Sequence, residues 1–216
     1  MAESLLQGVR VVDLSGEPGH LTGRLLADLG AEVVKVEPPG GDPLRTVGPW
    51  VGDRRDPEAS LRFGVWNAGK LSLTFESDAP GLDALLRGAD VVIDTPGFPG
   101  VLSVAPERAP QAVWVRITPF GLNGPRSGWR GTDLGAIAAS GNMYVTGFPD
   151  RAPLRCTEPS AYGHVGPEAA VAALSALASG RPQVVDVSIQ ETAIVANMGQ
   201  LWEYCLLYTS PSPRDS

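Results

Sequence analysis

The feature that most constrains the fold is a strand, a helix and a second strand within residues 9–37 of this 216-residue chain. Val9–Leu14 is an apolar run that ends in a loop, as a buried strand does. His20–Leu29 carries leucines at helical spacing and is followed by Gly30, which is typical of a helix end. Glu32–Glu37 predicts a second strand. A unit this short predicts a right-handed crossover between two parallel strands.

The same alternation of strands and helices continues along the chain. Further elements are predicted at Leu82–Leu86 (helix), Asp90–Asp94 (strand), Ala112–Ile117 (strand), Pro167–Ala178 (helix) and Val184–Ile189 (strand). The pattern predicts an α/β fold, a Rossmann-like, doubly wound and mainly parallel sheet. The stretch Gly40–Asn67 is rich in Pro, Gly, Arg and Asp and is long for a plain connection, so it predicts a functional loop.

Composition limits the classes of partner. With 24 acidic and 17 basic side chains the formal charge is −7, whereas nucleic-acid binders need a clustered basic surface. The two cysteines, Cys156 and Cys205, have no metal-ligand spacing and are too few for a disulfide framework. No stretch approaches the ~20 apolar residues of a membrane span. We therefore expect a cytoplasmic protein with no bound metal, no nucleic acid and no membrane association.

A dinucleotide site is one interpretation of the first crossover. Glu37 ends the second strand about 20 residues after the first turn, where an acid that binds ribose would lie. The glycines of Gly16–Gly23 do not have the Gly-x-Gly-x-x-Gly spacing, and Glu17 stands where a phosphate would approach. An NAD-dependent oxidoreductase is therefore a less favoured alternative.

A stronger pattern extends along the chain as far as Trp202. It consists, in chain order, of residues 5–15, 25–42, 67–73, 118–125, 131–134, 140–147 and 185–188. The residues of these segments and their order along the chain resemble those of the class III coenzyme A-transferases, the CaiB/BaiF group. The resemblance implies a Rossmann-like first domain that binds coenzyme A, an interlocked homodimer, and transfer through an acyl-aspartyl intermediate.

The resemblance also implies a domain organisation. Residues 1–202 correspond to the N-terminal domain of that family, so we expect this chain to be the N-terminal portion of a longer protein. Residues 207–216 abandon the apolar periodicity of the preceding helical pattern, which predicts a non-native or disordered tail.

On the family pattern, the nucleophilic aspartate falls at Tyr162. A phenol with a pKa near 10 is a poor replacement for a carboxylate at neutral pH. Glu158 and His164 are candidate substitutes, although a solvated loop acid and a histidine bonded to a helix start are the alternatives for them. The racemase branch of the family uses a histidine where this chain has Thr132, together with the same aspartate, so racemase chemistry is less favoured than transfer.

Eight residues are candidate contacts for coenzyme A: Lys35, Pro39, Gly40, Arg45, Asn67, Lys70, Gly121 and Gly124. Lys35 and the turn after it lie at the carboxyl end of a strand, where open α/β sheets bind ligands. Arg45 could meet a phosphate, and Gly121 and Gly124 allow a close backbone approach. The alternative for Lys35 is a solvated edge residue. The family's arginine-containing loop is here residues 95–100, which lack the arginine.

The leading hypothesis is an acyl-CoA:carboxylate coenzyme A-transferase homologue. The alternative is a non-catalytic coenzyme A-binding or assembly repeat of a tandem transferase, because the expected nucleophile is missing.

Overall fold

The computed structural model describes residues 4–52, 54–148 and 150–199. The strands are β1 Arg10–Asp13, β2 Glu32–Glu37, β3 Leu71–Thr74, β4 Val91–Asp94, β5 Val113–Thr118 and β6 Gln183–Ser188. The helices are α1 Glu17–Asp28, α2 Leu61–Asn67, α3 Pro80–Arg87, α4 Asp133–Ala139, α5 Ser160–Ala178 and α6 Ile189–Ala196. The predicted boundary at Trp202 and the predicted tail lie outside the described residues.

All six strands form one parallel sheet in the order β3-β2-β1-β4-β5-β6. Strands β2 and β3 lie on one side of β1, and the chain then crosses to the other side of β1 to form β4, β5 and β6. This order confirms the predicted Rossmann-like, doubly wound fold. The point between β1 and β4 where the order reverses opens a crevice at the carboxyl ends of the strands, which is where such sheets bind ligands.

Two apolar cores cover the two faces of the sheet. Successive strand residues point to opposite faces, so neighbouring valines enter different cores. Val11 packs with Leu26 of α1 and with the alanines of α5, whereas Val12 packs with Leu82 and Leu86 of α3. Strands buried on both faces explain the continuous apolar runs in the sequence. No helix in the described ranges has the length and apolar character that crossing a membrane requires.

Two expectations about helices were incomplete. The long helix α5 begins at Ser160, seven residues before the predicted start, and Pro167 lies inside it. Ala161 and Val165, in the added turns, are fully buried in the core beside α1, and this packing outweighs the backbone hydrogen bond that Pro167 cannot make. The stretch predicted as irregular contains α2, which Ser60 caps by accepting a hydrogen bond from the backbone N–H of Phe63 at 3.2 Å.

A buried ion pair joins β1 to the turn before β3. Lys70 Nζ donates to Asp13 Oδ2 at 2.6 Å, to the carbonyl oxygen of His20 at 2.7 Å and to Asn67 Oδ1 at 2.7 Å. All three N–H bonds of the ammonium group are therefore used. Gly23 makes room for the pair, because a Cβ there would lie 2.5 Å from Asp13 Oδ2. Burial opposes ionisation of Asp13, but the charges of Lys70 and Lys35 together with the Lys70 hydrogen bond hold the pKa of Asp13 below its usual range.

The substitution Lys70→Met should destabilise the protein by about 3–5 kcal/mol, because it leaves the Asp13 carboxylate buried without its counter-charge. The double variant Lys70→Met with Asp13→Asn should lose less than the sum of the two single losses, since the unpaired charge is then absent. Urea unfolding of the four proteins measures this coupling. Two losses that simply add would show that the pair is not coupled.

Two glycines of α5 make a matched test of the contact between α1 and α5. A Cβ on Gly166 would lie 2.7 Å from Leu21 Cβ, whereas one on Gly163 would meet nothing within 4 Å. We expect Gly166→Ala to destabilise the protein by about 1–3 kcal/mol through overpacking. Gly163→Ala should stabilise it by about 0.5–1 kcal/mol, as alanine does in a helix. Equal unfolding midpoints for the two variants would contradict this packing.

Candidate active site

A cavity of about 420 Å³ lies in the crevice between the ends of β1 and β4. Its walls are the start of α1, the turn at residues 42–47 after β2, the loop at residues 97–99 after β4, the segment 130–132 before α4, and Tyr162 in α5. Every wall but α5 comes from the carboxyl ends of strands or from loops that follow them. The cavity is therefore where the topology predicts a ligand site.

A second cavity of about 510 Å³ adjoins the first. The two share Gly97 and Phe98 of the loop after β4, together with Arg130 and Gly131. The side chain of Trp129 also lines the second cavity. The ligand space thus extends along the carboxyl edge from β1 towards β5.

A chain of buried hydrogen bonds under the first cavity determines the protonation of His20. The ammonium group of Lys70 can only donate hydrogen bonds, so the Asn67 atom beside it is the acceptor Oδ1. The amide nitrogen of Asn67 therefore faces His20 Nδ1, at 3.3 Å. His20 Nδ1 therefore accepts, and Nε2 carries the proton and donates to Asp42 Oδ2 at 2.9 Å. Burial lowers the pKa of His20, which favours this neutral form.

Asp42 lines the first cavity, and this series of hydrogen bonds holds it in place. Its Oδ2 also lies 3.2 Å from Lys35 Nζ, and its Oδ1 accepts the backbone N–H of Leu44 at 2.8 Å. Lys35 in turn donates to the carbonyl oxygen of Ser15. Burial opposes ionisation, but the His20 hydrogen bond and the Lys35 charge hold the pKa of Asp42 well below its usual range. Asp42 is thus a fixed anion with both of its oxygens bonded to the protein.

Arg45, a candidate phosphate contact, is held by carboxylates of the protein itself. Its Nε and Nη2 donate to the two oxygens of Glu37 at 2.7 and 2.8 Å, and its Nη1 donates to Glu58 at 3.1 Å. The guanidinium carbon lies 3.9 Å from the ring centre of Phe63. Burial opposes ionisation of Glu37, but hydrogen bonds from Arg45 and from the hydroxyl of Ser72 outweigh this effect and lower the pKa of Glu37.

The structure brings three of the predicted coenzyme A contacts into the interior. The side chains of Lys35 and Lys70 are 1% exposed, and Asn67 is 8% exposed. Lys35 is therefore not a solvated edge residue. A direct contact of either ammonium group with a phosphate stays a prediction, and it would require these internal bonds to break.

The other predicted contacts lie in loops at the carboxyl edge. Pro39 and Gly40 are exposed in the turn after β2. Gly121 and Gly124 follow β5 and have φ values of +86° and +95°, which an L-residue rarely adopts. The turn geometry alone accounts for these two glycines, and their contact with coenzyme A stays a prediction.

Tyr162 lines the first cavity from the first turn of α5 and is 8% exposed. Its backbone N–H donates to Asp133 Oδ1 at 3.2 Å, and its ring packs edge-to-face on Phe98 with 6.2 Å between centres. Burial, with the nearby carboxylates of Glu17 and Asp133, raises the pKa of the phenol above its usual value. At neutral pH Tyr162 is therefore a protonated hydrogen-bond donor.

The two candidate substitutes do not line either cavity. Glu158 is 75% exposed before α5 and lies 3.7 Å from Arg62, and His164 is exposed on α5. Their catalytic roles stay predictions. Thr132 lines the first cavity and caps α4 by accepting the backbone N–H of Gly135 at 3.2 Å.

The sequence interpretation did not propose Glu17 as a reactive residue. It is the first residue of α1 and lines the first cavity, 33% exposed, with Oε1 accepting from Arg62 Nη2 at 2.9 Å. Burial raises the pKa of Glu17, although Arg62 opposes the shift. The sequence feature that could have identified Glu17 is an acidic residue at the first position of the helix after the first strand. That position faces the crevice of a doubly wound sheet.

Comparison with known proteins gives a consistent family. The family model for CoA-transferase family III matches residues 6–216. The chain is 35% identical over 210 residues to succinyl-CoA:(R)-benzylsuccinate CoA-transferase subunit BbsE of Thauera aromatica, with 90% of this chain and 51% of that protein covered. It is 35% identical over 217 residues to succinyl-CoA–D-citramalate CoA-transferase of Chloroflexus aurantiacus, with 93% and 53% covered.

A solved structure supports the same assignment. A CAIB/BAIF family protein from Brucella suis matches with a TM-score of 0.82 and 28% identity, covering 97% of this chain and 60% of that one. The chain spans about half the length of the curated relatives that it matches. On the family model and these similarities, the chain belongs to CoA-transferase family III, the CaiB/BaiF group.

Proposed function

We propose that the full natural protein transfers coenzyme A between carboxylic acids, with acyl-CoA as the donor and a free acid as the acceptor. The observation that carries this proposal is the cavity between β1 and β4, in a chain that belongs to CoA-transferase family III. The family resemblance predicts the position of the nucleophile at Tyr162, which lies in the wall of this cavity. The names of two relatives contain succinyl-CoA, which makes a dicarboxylic acyl donor the first one to test.

Tyr162 is not the nucleophile in this proposal. A phenol with a raised pKa is protonated at neutral pH, and it can donate a hydrogen bond to a thioester carbonyl oxygen on which negative charge develops. Transfer in this protein then requires a carboxylate other than the one that the family pattern supplies.

A second candidate is a non-catalytic coenzyme A-binding or assembly subunit. The missing aspartate favours it, and so does the name of one relative, which is a subunit of a CoA-transferase. This candidate binds coenzyme A but catalyses no exchange by itself. An interlocked homodimer and a cytoplasmic location, both implied for the leading candidate, are further proposals, and light scattering of the full natural protein tests the first.

Isotope exchange separates the two candidates. The full natural protein is mixed with acetyl-CoA, succinyl-CoA or benzoyl-CoA and the matching radiolabelled free acid, and label in the thioester is measured. The leading candidate predicts exchange with at least one pair. Binding of coenzyme A by calorimetry without exchange for any pair would favour the non-catalytic subunit.

The variant Tyr162→Phe tests the role of the phenol. We expect the exchange rate to fall by about 100- to 1,000-fold, the loss for one hydrogen-bond donor to an oxyanion. Tyr144→Phe is the matched control, since Tyr144 is 90% exposed, and it should leave the rate unchanged. A loss of about 10,000-fold or more in Tyr162→Phe, as for removal of a nucleophile, would contradict this role.

A further inference from the structure

The proposed transfer needs a carboxylate that can attack a thioester, and the first cavity contains two among the described residues, Glu17 and Asp42. The inference below rests on the proposed function, because it concerns which of the two carries the acyl group. Their surroundings differ enough to decide between them.

Asp42 is unsuited to attack a carbonyl carbon. Its side chain is 2% exposed, Oδ1 accepts from Leu44, and Oδ2 is shared by His20 and Lys35. Both oxygens are bonded to the protein and the side chain is buried, so turning Asp42 toward a thioester would break its bonds to a buried ammonium or imidazole group. The cost of leaving such a charge unpaired in the interior is several kcal/mol.

Glu17 has the opposite environment. Arg62 holds only Oε1, at 2.9 Å, while Oε2 has no hydrogen-bond partner among the described residues. A third of the side chain is exposed. Arg62 favours the ionised form and limits the rotation of the carboxylate, but it leaves one oxygen free to react.

Glu17 and Tyr162 line the same cavity. A thioester bound between them would present its carbonyl carbon to the carboxylate and its carbonyl oxygen to the phenol. This is the arrangement that nucleophilic acyl transfer needs, with a nucleophile on one side and a donor for the oxyanion on the other.

We propose that Glu17 is the residue that becomes acylated in this protein, taking the place of the aspartate that the family pattern puts at Tyr162. The acyl group and coenzyme A are carried in turn on the γ-carboxyl group of Glu17.

The chemistry needs no reagent beyond the two substrates. Oε2 of Glu17 attacks the thioester carbon, the C–S bond breaks, and coenzyme A leaves as a thiolate, which gives a mixed anhydride. The thiolate then attacks the Glu17 carbonyl carbon and releases the donor acid as its carboxylate. The acceptor carboxylate displaces the thiolate to form a second anhydride, and attack of the thiolate on the acceptor carbonyl restores the Glu17 carboxylate.

These steps transfer an oxygen atom from the acceptor acid to Glu17, and an isotope label can detect this transfer. When the second anhydride is cleaved, the bridging oxygen from the acceptor acid stays on Glu17. The full natural protein should therefore be incubated with the acyl-CoA and acid pair that exchanges fastest, the acid being labelled with the heavy oxygen isotope. Peptide mass spectrometry should find the heavy isotope in the peptide that contains Glu17.

A matched pair of variants supports the labelling experiment. Glu17→Gln keeps the size and an oxygen for Arg62, and it should lower the exchange rate by at least about 1,000-fold. Glu32→Gln makes the same chemical change at an exposed residue at the opposite end of a strand, and it should leave the rate unchanged. The labelling needs no variant, so it remains decisive if Glu17→Gln fails to fold.

The outcomes separate this inference from the proposed function. If the protein catalyses exchange but the heavy oxygen is found in a peptide other than that of Glu17, the assignment of Glu17 is wrong and the transferase function stands. A wild-type exchange rate in Glu17→Gln would have the same meaning. Absence of exchange with every pair overturns both.

Discussion

The ammonium group of Lys70 joins three parts of the fold that must stay together for a site to exist. It bonds the end of β1 through Asp13, the first turns of α1 through the carbonyl oxygen of His20, and the end of α2 through Asn67. Because each N–H bond has its own acceptor, the group also determines which atom of Asn67 faces His20. The orientation of the buried polar chain up to Asp42 follows from that choice.

The two carboxylates of the cavity illustrate how environment assigns roles to identical groups. Asp42 is surrounded by donors and supports the turn after β2, whereas Glu17 has one donor and solvent. A buried carboxylate with both oxygens bonded to the protein is structural, and one with a free oxygen in a crevice is available for chemistry. The family resemblance predicts the nucleophilic aspartate at the position of Tyr162, and on that prediction the proposed transfer requires another carboxylate with a free oxygen.

The sequence predicted the sheet well, but it did not predict the start of α5 or the buried contacts under the first cavity. Strands buried on both faces leave a strong apolar signal, and all the strands expected from it are present. The start of α5 was misplaced because Pro167 is typical of a first helical turn, and only packing against α1 shows that the helix continues before it. The burial of Lys35 and Lys70 could not be predicted, because a single sequence gives no sign of their buried partners. Those partners, such as Asp13 and Asp42, are distant in sequence.

A crystal structure of the full natural protein with a bound acyl-CoA would show whether the crevice between β1 and β4 presents a thioester to Glu17. We expect the thioester carbon about 3–3.5 Å from a free oxygen of Glu17, the separation of a near-attack geometry. Its carbonyl oxygen should face the hydroxyl of Tyr162. A thioester bound away from this crevice, with Glu17 still facing only Arg62, would contradict the proposed role of Glu17.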